Sequence, residues 1–546
     1  MMKKRLLTLA TAAILVCVSL WIPACSPQAD YPPAIVPTIT TPPAIETGAA
    51  RSISVELYFR AGGDGALMPE TRTVLCELNT HRAEAAVHAL CGGPTDPVYT
   101  AVVPEGWTLT GVEQSGDICH VYFQSETAAT EEELLILRAA LAATVSKNGG
   151  SAYVNVFLND MQPGYLDRPL GAQASVLEAL DTYLAQYAAN INANANNLDT
   201  DALIENNVEL YFADTSRTLL LCDVRTLRYD SEADIVSIAS SLLDELSKGP
   251  VNSEGREPVL PVDMRLLRTR HIAPDPVTDP AVDTPDATIP EVGANPTEAP
   301  TTEGGETPAR SPAPGGGMLQ LYFLNAASLA DENERTLVFA SLVHTLTSFL
   351  PNISEVEINL LNPAIQNERP ELQTHIATLE QYIEYTERYT RADFKDALGQ
   401  NVPLHFPLKD GTELSIVQRC LPQAAANSAL CRLQSLFDGN ANTGVDLTFL
   451  VPEDILSVTQ SGENMLIVNF APGFVEKLRA FSASGDTPLP GDTRTKMAVF
   501  SMINTLCEFP WISRVLFLED GRQITETIDN IYFGNPLYYN PGLTAS

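Results

Sequence analysis

Arginine recurs in register at Arg72, Arg225 and Arg419, each on an extended segment that follows a similar run of residues. A guanidinium repeated at one strand position can serve as a ligand clamp or as a structural salt bridge. In a strand present in every copy of a repeat, the structural use is the expected one. His81 and His88 stand seven apart on one predicted helix with Glu84 between them, but this is not HExxH and brings no third ligand. Asp199-Thr200-Asp201 opens like a calcium loop and then lacks the sixth-position Gly and the closing Glu. No GxSxG, Walker or dinucleotide fingerprint occurs. The acids are many, yet none is singled out by repeat or context as half of a hydrolytic carboxylate pair. No catalytic residue, metal ligand or cofactor site is assigned, and the chain is read as a non-enzyme.

The elements around those arginines repeat. Val55-Glu56-Leu57-Tyr58-Phe59, Val208-Glu209-Leu210-Tyr211-Phe212 and Val402-Pro403-Leu404-His405-Phe406 each begin a unit. An Arg-bearing strand, a helix and a Gly-containing stop follow, then a Pro (Pro104, Pro261, Pro452) and a strand pair, then a second helix and a last strand. The spacing is too long for a solenoid, so each copy is a domain. In the first copy the strands fall at Ile53–Arg60, Met68–Glu77, Thr108–Glu113, Ile118–Phe123 and Ala152–Leu158. The helices fall at Arg82–Leu90 and from Thr130, where Thr130 and Glu133 fit a capping box. The reading is α+β: three tandem small domains, each a largely antiparallel sheet packed by two helices in ββαββαβ order.

The predicted boundaries are 1–25 signal peptide, 26–51 tether, 52–170 first domain, 171–200 connecting helix and linker, 201–365 second domain, 366–395 connecting helix and 396–546 third domain. Ala273 to Gly317 holds ten prolines, eight acids, one Arg and no aromatic residue. The repeat places this stretch at the tip of a hairpin, as a disordered acidic insertion within the second domain; a long loop adds little closure entropy once its strands pair.

The 546 residues carry 33 Lys+Arg against 68 Asp+Glu, a net charge of −35 that repels nucleic acid and favours solubility. Lys3, Lys4 and Arg5 precede an apolar stretch from Leu6 to Leu20 of signal-peptide length. Ile22-Pro23-Ala24-Cys25 resembles the lipobox of bacterial lipoproteins, which implies lipid on Cys25 and attachment to a membrane without spanning it. Ser26 to Arg51 is Pro/Thr/Ala-rich and reads as a spacer. Of nine cysteines, seven remain beyond Cys17 and Cys25; an odd number without CxxC spacing points to buried thiols, with one disulfide in the first or third copy left open.

The Val-x-Leu-Tyr-Phe strand, the following strand Arg, Gly93-Pro94 and Gly249-Pro250 after the helix, and the Pro-led hairpin resemble the GerM domain of sporulation and germination lipoproteins. The run Ala498 to Leu506 leading to Val515-Leu516-Phe517-Leu518 resembles it too. The third copy departs in having Gly439-Asn440. The resemblance covers nearly the whole mature chain as three tandem copies. It implies a domain similar to the ring-building modules of envelope-spanning assemblies and a non-enzymatic role, and it supplies no catalytic residue.

The expected function is a lipid-anchored scaffold on the extracytoplasmic face of the membrane, acting in sporulation or spore germination. Its expected partners are envelope proteins or peptidoglycan, with self-association open and nucleic acid excluded by charge. The alternative is an exported glycan- or solute-binding lipoprotein that interacts with peptidoglycan. The aromatic tail, Ile531-Tyr532-Phe533 with Tyr538 and Tyr539, could stack on wall sugars or pack on the last domain.

Overall fold

The structure, a computed structural model, describes residues 51–62, 66–77, 80–164, 168–175, 203–253, 255–274, 315–408, 411–439, 449–462, 464–484 and 490–544. The signal segment, the tether, Cys25, Asp199-Thr200-Asp201 and the body of the acidic insertion lie outside the described residues.

In the first copy, β1 (Arg51–Ala61) pairs antiparallel with β2 (Leu67–Cys76). Period-2 alternation turns Val55, Leu57 and Phe59 inward, where all three are buried. Helix α1 (Arg82–Cys91) covers them and ends at Gly93, whose φ of 79° is the left-handed cap that favours glycine. The short β3 (Tyr99–Thr100) pairs with the end of β1. A hairpin follows, β4 (Thr108–Ser115) with β5 (Ile118–Gln124). Helix α2 (Glu131–Lys147) starts in the expected capping box of Thr130 and Glu133. From Leu134 to Val145 every residue of α2 is buried, because it lies between the two sheets. β6 (Tyr153–Leu158) then returns parallel to β5, and β7 (Gln173–Ala174) closes the sheet.

The class is α+β in tandem small domains, as expected, with one refinement. Instead of a single largely antiparallel sheet, each copy divides its strands between an N-terminal hairpin sheet and a second, mixed sheet. The middle pair of the second sheet is parallel because a strand-helix-strand crossover brings the chain back in the same direction.

The second copy runs β8 (Leu203–Asp214), β9 (Leu220–Asp230), α3 (Ile235–Ser247), β10 (Arg256–Glu257), β11 (Leu266–Ile272), β12 (Gly317–Leu324), α4 (Glu332–Thr347) and β13 (Ile353–Leu361). β11 and β12 are antiparallel neighbours with Ile272 opposite Met318, so the acidic stretch leaves and re-enters one hairpin. The connecting helix expected over 366–395 is replaced by the five-residue α5 (Ile376–Glu380), the strand β14 (Ile383–Tyr389) antiparallel to β13, and a kinked 3-10 turn, Arg391–Ala397. Ile383, Tyr385 and Tyr389 alternate with polar residues, a strand period that outweighs the helical spacing of Leu372, Ile376 and Leu379. In the first linker, β7 lies within the described residues 171–175, and the rest of the expected connecting helix and linker, 176–200, lies outside the described residues.

The third copy comprises β15 (Gly399–Pro407), β16 (Leu414–Pro422), α6 (Ala429–Phe437), β17 (Ile455–Ser461), β18 (Met465–Phe470), α7 (Phe474–Ala483), α8 (Gly491–Cys507) and β19 (Arg514–Glu519). Helix α7 has no counterpart in the other copies. The tail packs on this domain: Phe533 is buried and Leu537–Tyr538 pairs with β19, whereas Tyr532 and Tyr538 are exposed. The copies are not insulated from one another. Ile118 and Ala172 of the first sit in the apolar core of the second, and Leu398 bridges to Leu220.

Candidate functional site: the seams between the domains

The recurrent arginines do one structural job. Each reaches from its strand to the end of the following helix, where the last carbonyls lack intrahelical donors. Arg72 donates to the carbonyls of Ala89 at 3.0 Å and Gly93 at 2.9 Å. Arg225 donates to Gly249 at 2.6 Å, and Arg419 to Gly439 at 2.6 Å. All three glycines have positive φ, so the Gly that stops the helix is also the Arg target, whether Pro or Asn440 follows it. Each guanidinium also lies over the Phe of its own motif, at 5.9 Å (Phe59), 5.0 Å (Phe212) and 5.5 Å (Phe406). The expected salt bridge exists in two copies, to Glu70 and Asp223; in the third, Val417 stands at that position.

A second repeated device ties the first strand to the long helix. The edge N–H groups of Tyr58, Tyr211 and His405 donate to the hydroxyls of Thr144, Thr345 and Thr505 at 3.2, 3.3 and 2.9 Å. One turn earlier, Ser341 and Ser501 donate to the carbonyls of Tyr211 and His405; the first copy has Ala140 there. The helices thus satisfy a sheet edge that would otherwise be buried unpaired.

Between the first two domains this edge carries a sealed polar cluster. Glu209, 1 % exposed, accepts from His120 Nε2 at 2.7 Å, from the Tyr211 hydroxyl at 2.6 Å and from Asn155. Asn155 also donates to the Ser348 carbonyl at 2.9 Å. Arg391 donates to Ser348 Oγ at 2.6 Å and stacks 4.5 Å over Phe157 of the first domain. Burial by itself raises the pKa of Glu209; the His120 charge and hydrogen bond, the Arg391 charge and the Tyr211 hydroxyl outweigh it and hold the carboxyl at about 2. Burial, reinforced by the Arg391 charge, lowers His344 to about 3, so it is neutral and donates its Nε2 hydrogen to the Phe394 carbonyl at 3.1 Å. A carboxylate this enclosed acts as a fixed counter-ion that joins domains.

The third copy meets the first differently. Ser115 approaches the Gly399 carbonyl at 3.5 Å, and His81 meets Trp511 edge-on at 5.1 Å. Between these contacts lies an open cleft of about 480 Å³, lined by Gln114 and Asp117 on one side and by Gln400, Arg432, Glu508 and Trp511 on the other. Glu508 also accepts from His405 Nε2 at 2.6 Å.

The residues first considered for chemistry do not converge. His81 is the buried cap of α1, its Nδ1 accepting from the Ala83 N–H at 3.1 Å, while His88 is exposed. Among the described residues, no group of three or more His, Cys, Asp or Glu side chains is placed to hold a metal. The seven described cysteines are free; burial pushes the Cys91 and Cys420 thiols up to about 12, which leaves them unreactive. His120, Asn155, Glu209, Arg391 and Trp511 carried no site assignment in the sequence, because each has a partner in another copy.

Fold and seams define a tandem α+β repeat protein whose domains interlock through polar edges. Residues 56–162, the body of the first copy, match the family described as Germane: sporulation and spore germination. The first domain is therefore of the GerM type associated with sporulation and germination. Among solved structures, the tandem GerMN domains of the sporulation protein GerM from Bacillus subtilis match at 17% identity, covering 57% of this chain and 94% of that one, with a TM-score of 0.19. A putative lipoprotein from Clostridium perfringens matches at 17% identity over 22% of this chain and 83% of that one, with a TM-score of 0.15. Superpositions this loose establish no common fold. No curated protein matches.

Proposed function

We propose that this protein is a non-enzymatic, lipid-anchored assembly component of the cell envelope that acts in sporulation or spore germination. The observation that carries the reading is the Germane match at residues 56–162 within a chain whose three copies share that element order. What recurs in register is framework: the Arg clamp on a helix end, the Thr stitch on a strand edge, the buried Phe. Edge strands and domain faces of this kind are surfaces for docking other domains, as the copies already dock each other. The anchor rests on the Ile22-Pro23-Ala24-Cys25 run. Among the described residues no helix is long and apolar enough to cross a membrane.

The experiment is to tag the chain and follow it through sporulation, with Cys25→Ala as the anchoring control. Enrichment at the septum or around the forespore, lost in the control, is the expected result. Uniform distribution at every stage would rule the assembly role out.

A further inference from the structure

The outer strands of the three first hairpins can be compared residue by residue, because Val55, Val208 and Val402 face Arg72, Arg225 and Arg419. In that register Leu75, Arg228 and Pro422 occupy one position. Each of these strands lies at the edge of its sheet. Native edges are kept from adding a stray strand by a charge, a proline or a covering segment. β9 carries Arg228, exposed and ion-paired to Glu205 at 2.6 Å, and its Leu220 is bridged by Leu398. β16 ends in Pro422, which offers no N–H, and its Leu414 is bridged by Thr544. β2 has neither device at this end. Its Leu75 is 76 % exposed, and among the described residues no segment bridges the outer side of the strand.

The direction of the β2 backbone groups follows from the other strand of the hairpin. Opposed residues of an antiparallel pair either bond to each other or both turn away. The Glu56 N–H donates to Asn148 Oδ1 at 3.2 Å, and the Glu56 carbonyl accepts from Asn148 Nδ2 at 2.8 Å. Glu56 therefore turns away from β2, and Thr71 opposite it points its own N–H and C=O outward. Thr73 and Leu75, at the next alternate positions, do the same. All three side chains are exposed and uncharged. An edge with its donors and acceptors facing out is a template for one more strand.

We propose that β2 is a self-pairing edge, through which two copies of the chain join antiparallel about a two-fold axis at Thr73. A second copy suits the strip because the strip is complementary to itself. Centred on Thr73, the pairing sets Thr71 against Leu75, Arg72 against Val74 and Glu70 against Cys76, so no two like charges stand opposite. Each Arg72 is already neutralised by its own Glu70. Centring on Thr71 instead would bring in Pro69, which lacks an N–H. Two copies of net charge −35 repel at a distance, but that repulsion is screened beyond ~10 Å at 0.1 M salt. Salt should therefore tighten this pairing, whereas it would weaken the capture of a basic partner. The pairing goes beyond the envelope role and does not depend on it, since a monomeric chain could still gather at the forespore.

The test is sedimentation equilibrium of the full-length chain in a density-matched detergent. A monomer–dimer equilibrium with a Kd of about 10 µM is expected, tightening as salt is raised. Leu75→Arg copies the residue of β9, and Thr73→Pro removes an N–H that bonds nothing within the chain. Each is expected to weaken the dimer about tenfold or more, with circular dichroism confirming a folded protein. Leu75 is exposed, so its replacement keeps the test decisive if the proline variant unfolds. Thr73→Cys is expected to crosslink two chains under mild oxidation, above the level of the unsubstituted chain. Glu77→Cys is not, because antiparallel pairing carries the two copies of that position apart. A chain that stays monomeric at ~100 µM would overturn the proposal. So would pairing that weakens with salt, that persists undiminished in the folded variants, or that crosslinks as readily at position 77 as at 73.

Discussion

The seam between the first two domains and the cleft between the first and third both bring polar side chains of different copies together, to opposite ends. At the seam every oxygen of Glu209 is used and the residue is 1 % exposed. In the cleft the Glu508 side chain is 25 % exposed and polar atoms of Arg432 and Gln400 go unpaired. The motif position itself diverges. Glu56 and Tyr58 bond to each other without a covering domain, Glu209 and Tyr211 lie under His120 and Asn155, and His405 turns to Glu508 and Tyr539. One framework position can thus be left open, locked onto a neighbour, or turned to its own tail.

The sharpest way to break this contrast is Glu209→Ala. Removing one member of a buried ionic cluster strands the others, and a loss of ~3–5 kcal/mol in urea unfolding is expected. Glu56→Ala, its counterpart in the first copy, is expected to cost less than about 1 kcal/mol. Equal losses would mean that the seam adds nothing to the motif.

Acid should attack the seam in two stages. His344 has a folded pKa depressed from 6.5 to about 3, so the unfolded chain takes up its proton first and stability falls as pH drops below about 6.5. Glu209 is depressed from 4.5 to about 2; its contribution is complete above pH 4.5 and is lost as pH falls toward 2. His344→Gln is expected to flatten the upper stage and leave the lower one, read from unfolding free energy against pH.

Smaller effects sharpen the comparison among copies. Arg225→Met removes the clamp on Gly249 and should cost ~1.5–3 kcal/mol, as should Arg419→Met, where Val417 stands in place of the paired strand acid. A much larger loss in either would show a role beyond capping the helix. Thr345→Val deletes one acceptor and should cost about 1 kcal/mol, similar to Thr144→Val, because the stitched N–H is buried in both copies.

Much of the framework was legible in the chain. Alternation located the strands, Thr130 and Glu133 the start of a helix, and the repeat placed the acidic stretch at the tip of a hairpin, whose strands pair with Ile272 opposite Met318. Local periods failed at Ile383–Tyr389, where a helical spacing ran into a strand spacing within a few residues. They also could not show that two sheets share one helix, since that depends on which face each strand finds. The seams were invisible for a different reason. Glu209 stood in a recognised motif, but His120 lies 89 residues away and Ser348 lies 193 residues from Asn155, and neither contact leaves a trace in sequence spacing.

The first domain touches both of the others, and those two touch each other through Leu220 and Leu398. Three bodies on a string can be drawn apart one joint at a time, each yielding under its own load. Three bodies closed on themselves cannot: stretching the chain from end to end must strain at least two contacts at once, so they bear tension in parallel. A protein tied to a membrane by one end and pulled at the other would therefore hold its length up to a threshold and then give way in a single large step.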